Sequence, residues 1–222
     1  IEYWEQVLKD SVPSLKPPYG IVPRPDQKAQ VKTESIIINE EITNRFYDRC
    51  LKLGVTPFAF LLANYHITLS YYFGENDIVT GVPFLGRYSK KELNNVGYYV
   101  NTLPIREKVI DSAIFSEYAV SINKRIKKAF SNQKVTLHKV QEIMNAKDLN
   151  QSNNCYQTMF ILEKANIKSL EGASLLTMGM NEVNVELGDY NVSGFPLKNR
   201  DQLCDITIML ERFQDKIIGN VQ

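Results

Sequence analysis

Residues 57–73, PFAFLLANYHITLSYYF, form the most apolar stretch of the chain, bounded by Thr56 and Gly74. Asn64, His66, Thr68 and Ser70 interrupt it. Four polar side chains in so marginal a length predict a helix buried in a protein core, not a membrane span. Thr56 stands where an N-cap belongs, and Pro57 suits the first helical position, where a missing N–H costs nothing. Such a helix needs other layers around it, and the periodicities on either side supply them.

Residues 2–9 predict a short helix with Tyr3, Trp4, Val7 and Leu8 on one side. A strap rich in proline follows over 12–25, which excludes a helix interior or a central strand. TESIIIN (33–39) reads as a strand, and Glu40–Leu53 as a helix with Ile42, Phe46, Cys50 and Leu53 in register, stopped by Gly54. After the buried helix, DIVTGVPF (77–84) reads as a strand, GRYSKKELNN as a polar loop, and GYYVNTLPIR (97–106) as a second strand. Ser112 is expected to cap a helix with Phe115, Ala119, Ile122, Ile126 and Phe130 on one face. A short helix over 137–144 and an Asn-rich loop come next. The remainder is rich in β-pattern: YQTMFILE, ASLLTM, NEVNVEL, DITIMLER and KIIGNV. Early strands alternate with helices and later ones run together. That order predicts one α/β layered domain over residues 1–222, a mixed β-sheet covered by helices. The change from helical to strand-rich near residue 150 is expected to be a loop.

Of the 222 residues, 44% are apolar and the net charge is +1, so no strong field points to nucleic acid. Cys50, Cys155 and Cys204 are far apart and in no CxxC spacing, which fits reduced, buried thiols in the cytoplasm. The chain opens IEYW without an initiator Met or a signal-like run, as a piece of a longer protein would. Its two histidines give little chemistry. His66 lies mid-helix among Tyr65, Ile67 and Leu69, as a hydrogen-bonded core residue would, and His138 is expected at the surface. No partner stands at triad spacing, and no nucleotide-binding, metalloprotease or nucleophile-elbow motif occurs. The basic run Lys124–Lys128 reads as the solvated face of a helix, and Glu40-Glu41 as carboxylates suited to a helix start. Residue pattern alone therefore yields a soluble α/β domain without an evident active site.

Several phrases, in their order, carry more. VTPFAFLLANYHITLSYYFGENDIVTGVPFLGR followed by VGYYVNTLPIR resembles the second half of a condensation domain from a non-ribosomal peptide synthetase. In that family a GVTPF helix precedes an SRYSGQDDIVVGTPVSGR-like stretch and IGFFVNTLPLR. The opening IEYW is similar to the YW helix that begins the family's second lobe, and the strap ending RPD to its LPxDxxRP stretch. CYQTMFILE is similar to PLFQVMFVLQ, and Asp205 in CDITIMLE stands where FDLTLSLEE has its aspartate.

The resemblance implies a chloramphenicol acetyltransferase-like lobe, one of two set in a V around a tunnel. It also implies a job: joining an acyl thioester on one carrier protein to the amine held on another. The catalytic HHxxxDG motif of the family lies in the first lobe, and no two histidines are adjacent here, so no catalytic residue is assigned to this chain. Its end at GNVQ stops short of the family's last helix. The resemblance places Asn101, Thr102, Tyr99 and Gly97 along the substrate tunnel as positioning residues, with Tyr98 or Tyr99 packing inward. It gives Arg87 and Asp205 structural roles toward the partner lobe. No cofactor is expected to bind directly, because phosphopantetheine arrives on carrier proteins. The expected partners are the N-terminal lobe, peptidyl or acyl carrier proteins and an adjacent adenylation domain, with no nucleic acid and no membrane. Two stretches depart from the family: HQDxPFE becomes NQKVTLH (132–138), and RDxSRNPLF becomes KDLNQSNNCY (147–156). The fold also hosts epimerisation and heterocyclisation domains, stand-alone acyltransferases and degenerate modules that only recruit partners. The VNTLP wording argues against heterocyclisation.

Overall fold

The structure, a computed structural model, describes residues 1–10, 14–16, 31–145, 155–164, 170–180, 183–195 and 204–222. Apart from residues 14–16, the Pro-rich strap lies outside the described residues, as do 146–154 of the Asn-rich loop. In chain order the elements are α1 (Glu2–Val7), β1 (Glu34–Ile38), α2 (Glu40–Leu53), α3 (Pro57–Phe73), β2 (Asp77–Phe84), α4 (Lys90–Leu93), β3 (Asn101–Lys108), α5 (Phe115–Ser131), α6 (Leu137–Asn145), β4 (Thr158–Glu163), α7 (Ala173–Thr177), β5 (Asn184–Leu187), β6 (Tyr190–Ser193), β7 (Ile206–Phe213) and β8 (Lys216–Val221). A six-stranded mixed sheet runs in the order β1-β8-β7-β4-β2-β3, and β5-β6 form a separate hairpin. The chain divides into two compact units, Ile1–Ile21 with Leu53–Met159, and Val22–Lys52 with Phe160–Gln222.

In the first unit, α3 opens as the sequence predicts. Thr56 is extended and its hydroxyl accepts from the Ala59 N–H at 3.1 Å, while Gly74 closes the helix at φ +68°. Three of the four interrupting polar residues are spent locally, and the fourth, His66, faces Tyr118 on α5. Asn64 and Thr68 donate to carbonyls one turn back, and Ser70 donates to Asn76 Oδ1 at 2.8 Å. No helix among the described residues is long and apolar enough to cross a membrane. β2 pairs antiparallel with β3 from Asp77↔Lys108 to Phe84↔Asn101, and parallel with β4 at Thr80↔Thr158. Leu62, Ile78, Leu103, Ile105 and Ile122 are fully buried in this unit. Gly81 is required by a close approach: a Cβ there would fall 2.5 Å from the Tyr156 ring.

In the second unit, β7 and β1 flank β8 antiparallel. The buried face of α2 is Thr43, Phe46 and Cys50. Ile42, expected in that stripe, is 53% exposed, and Thr43 takes the inward position, its hydroxyl donating to Ile38 O. ASLLTM is not a strand: α7 forms there instead. Gly172 precedes it at φ +84°, its N–H donates 2.9 Å to the buried Glu211 carboxylate, and Leu175 anchors a cluster with Met178, Met180, Val183, Val185 and Ile218. Burial against that cluster overrides the local β-pattern.

Two further expectations are corrected. α5 starts after Ile114, not at a Ser112 cap, and no side chain caps it; Phe130 at its far end is 58% exposed. GYYVNTLPIR is a strand only from Asn101 onward. Residues 97–100 precede it as irregular chain, with Tyr98 91% exposed.

Candidate functional site

Asn101 opens β3, opposite Phe84, half-buried. Its amide nitrogen donates to Gln133 O and Val135 O, both at 2.9 Å, and its oxygen accepts from the Leu137 N–H at 3.1 Å. Two carbonyls demand donors and one N–H demands an acceptor, so the amide can face only one way. Every strong bond the side chain makes goes to the backbone between α5 and α6. Trp4, fully buried on α1, reaches the same connection, with Nε1 donating to Asn132 O at 3.1 Å. The NQKVTLH stretch is thus held by side chains from two other elements, leaving Lys134, Thr136 and His138 exposed.

Gly97 and Tyr99 lie just before β3. The Tyr99 ring is half-buried under the Arg87 guanidinium, 4.1 Å from its centroid, within cation–π range. Arg87 also donates to Glu92 O, to Asn95 O at 2.8 Å and to Gly97 O at 3.3 Å. Its side chain is the core of the 87–97 loop. Gly86 makes this path possible: at φ +66°, a Cβ there would meet Tyr99 O at 1.8 Å. α4 inside this loop was not expected from sequence. Ser89 and Glu92 close it with a reciprocal capping box. Backbone hydrogen bonds from Tyr88 and Ser89 hold the Glu92 carboxyl below its ordinary range. Thr102 is half-buried across from Pro83. Asp205, in the second unit, is exposed at the start of β7.

Sequence reasoning passed over Arg106, the last residue of the motif. It is buried, and its guanidinium grips Asp77 through two bonds of 2.9 and 2.7 Å while donating to Val7 O and Asp10 O behind α1. The available signal was an aspartate opening one strand and an arginine near the end of the next, offset by two residues across the pair. Tyr88 was passed over too; its hydroxyl donates to Gln133 O at 3.0 Å.

The two histidines lie in opposite environments. His66 is fully buried, and burial pushes its pKa down to about 3. Its Nδ1 lies 3.3 Å from Tyr118 Oη, and its Nε2 has no hydrogen-bond partner among the described residues. His138 is exposed on α6 beside Glu142 at 3.2 Å. Burial likewise raises the thiols of Cys50, Cys155 and Cys204, to about 11, 12 and 11, so none is a ready thiolate. Among the described residues no group of three His, Cys, Asp or Glu could hold a metal. The basic helix face is only partly free, since Arg125 pairs with Glu107 at 2.8 Å. What the site can do chemically is hold a shaped, polar strand end in place.

The six-stranded mixed sheet covered by helices has the chloramphenicol acetyltransferase-like fold of the solved structures it matches. Residues 1–218 match the family described as Condensation domain, and the chain belongs to it. It is 29% identical over 170 residues to Gramicidin S synthase 2 of Brevibacillus brevis, covering 76% of this chain and 4% of that protein. It is 29% identical over 198 residues to Bacitracin synthase 3 of Bacillus licheniformis, covering 88% of this chain and 3% of that one. Among solved structures, a four-domain nonribosomal peptide synthetase bound to AMP and glycine matches with a TM-score of 0.80 at 18% identity. That match covers 99% of this chain and 17% of the other. The condensation domain of Monacolin K polyketide synthase matches with a TM-score of 0.71 at 18% identity, covering 99% of this chain and 50% of that one. The chain thus spans a few per cent of the curated relatives and at most half of these structures.

Proposed function

We propose that residues 1–222 are the C-terminal lobe of a condensation domain. The complete domain forms an amide between a carrier-bound acyl or peptidyl thioester and a carrier-bound aminoacyl amine. Phosphopantetheine arrives on the carrier proteins as part of the substrates, and an adenylation domain and an N-terminal lobe complete the machinery. In this reading the lobe supplies a wall and positioning, with Gly97, Tyr99, Asn101 and Thr102 along it, while Arg87 and Asp205 support packing toward the other lobe. The observation that carries the division of labour is the state of the two histidines: one is sealed and neutral, the other lies in solvent. Attack by an amine on a thioester needs the amine neutral and the developing oxyanion stabilised. That group must then come from the HHxxxDG-bearing lobe.

The test is turnover with loaded donor and acceptor carrier proteins. The purified 222-residue chain is expected to form no amide, and the two-lobed protein containing it is expected to do so. Amide formation by the chain alone would overturn the division. A two-lobed protein that binds carriers without forming amide would favour a recruiting module.

A further inference from the structure

The Gln133 carbonyl accepts twice, from Asn101 Nδ2 at 2.9 Å and from the Tyr88 hydroxyl at 3.0 Å. These donors come from opposite sides of one motif. Asn101 belongs to β3, and Tyr88 belongs to the loop built around Arg87. That loop returns to the start of the motif, because Arg87 stacks on Tyr99 and donates to Gly97 O. The bonds therefore close a circuit: Tyr88 to Gln133, Gln133 to Asn101, along the chain to Tyr99 and Gly97, and through Arg87 back to Tyr88. A second tie runs beside the first. Lys134 Nζ lies 5.8 Å from the Tyr88 ring centroid, and its charge contributes to holding Glu92 ionised.

We propose that Tyr88 is a positioning residue, whose hydroxyl locks the 87–97 loop to the 132–137 connection so that both hold residues 97–102 as one body. The proposal rests on the reading of that stretch as a substrate wall. Without the Tyr88 bond, Asn101 still holds Gln133, but the Arg87 loop can shift relative to it, carrying Gly97 and Tyr99. Displacements of this kind cost rate and not binding, because reacting groups need alignment closer than binding does.

Tyr88→Phe keeps the ring and removes only the donor. Tyr71→Phe, at a tyrosine 92% exposed on α3, is the control. In hydrogen exchange on the chain, Tyr88→Phe is expected to speed the Asn95 amide in the loop by about threefold to tenfold, the range one net hydrogen bond supports, while the Leu137 amide, still held by Asn101, is unchanged. In the two-lobed protein, kcat is expected to fall by a similar factor with KM unchanged. Unchanged exchange at Asn95 overturns the lock. Faster exchange with unchanged kcat overturns the positioning role, and a raised KM with unchanged kcat makes Tyr88 a substrate contact instead. If the unaltered two-lobed protein forms no amide, the wall reading fails, and the exchange result still decides the lock.

Discussion

The two ends of β3 carry similar polar cargo to different purposes. At one end Arg106 is buried, forked onto Asp77 and bonded to two carbonyls behind α1. At the other, Asn101 is half-buried and spends its amide on the connection that leads into α6. Arg106 joins elements of the core, so its removal should be felt as lost stability. Asn101 fixes a loop beside an exposed stretch of chain, so its removal should be felt first in geometry. A polar residue in an apolar strand is therefore not in itself a sign of catalysis. Where its partners lie decides what it does.

The largest expected effect is at the Arg106 end. Arg106→Ala takes both guanidinium bonds from the half-buried Asp77 and removes the donors that hold Val7 O and Asp10 O, and should cost about 3 kcal/mol or more, read as a lower denaturation midpoint at unchanged m-value. A loss under about 1 kcal/mol, as for an exposed pair, would erase the contrast between the two ends.

Next comes acid sensitivity of the core beside β3. His66 is neutral when folded, with its pKa lowered from 6.5 to about 3 by burial. The unfolded chain binds the proton more readily, so stability falls as pH drops below the unfolded value and continues to fall toward the folded one. The slope this one group contributes is up to about 1.4 kcal/mol per pH unit in that window. Urea melts between pH 7 and 5 check it: His66→Gln should flatten that part of the profile, and an unchanged slope would mean that His66 is not the group responsible.

The β2–β3 pair, the buried α3 and its caps were legible in the sequence because each rests on local chemistry: Thr-Pro before the helix, Gly after it, and alternating apolar residues in the strands. ASLLTM was misread because its fate rests on Glu211, 39 residues from Gly172, and on a methionine-rich cluster that local β-propensity cannot register. The limit of the strand within GYYVNTLPIR was hidden for the same reason, since Tyr99 is engaged by Arg87 and not by a neighbouring strand. Family wording picked out Asn101 as worth naming. That its amide faces the NQKVTLH backbone follows only from three-dimensional placement of two stretches about thirty residues apart, and the reach of Arg106, at the end of the same motif, to Asp77 and the α1 carbonyls follows only from placement too.

Asn101 sets the most direct test. Asn101→Ala in the two-lobed protein leaves two carbonyls and one N–H of the connection to find water, which should cost about 1–3 kcal/mol of stability. If the clamp serves positioning, the single-turnover rate of amide formation, measured at a temperature where the variant is fully folded, should fall at least about tenfold. A rate equal to that of the unaltered protein, with the same melting loss, would contradict the account and leave Asn101 as a structural tie alone.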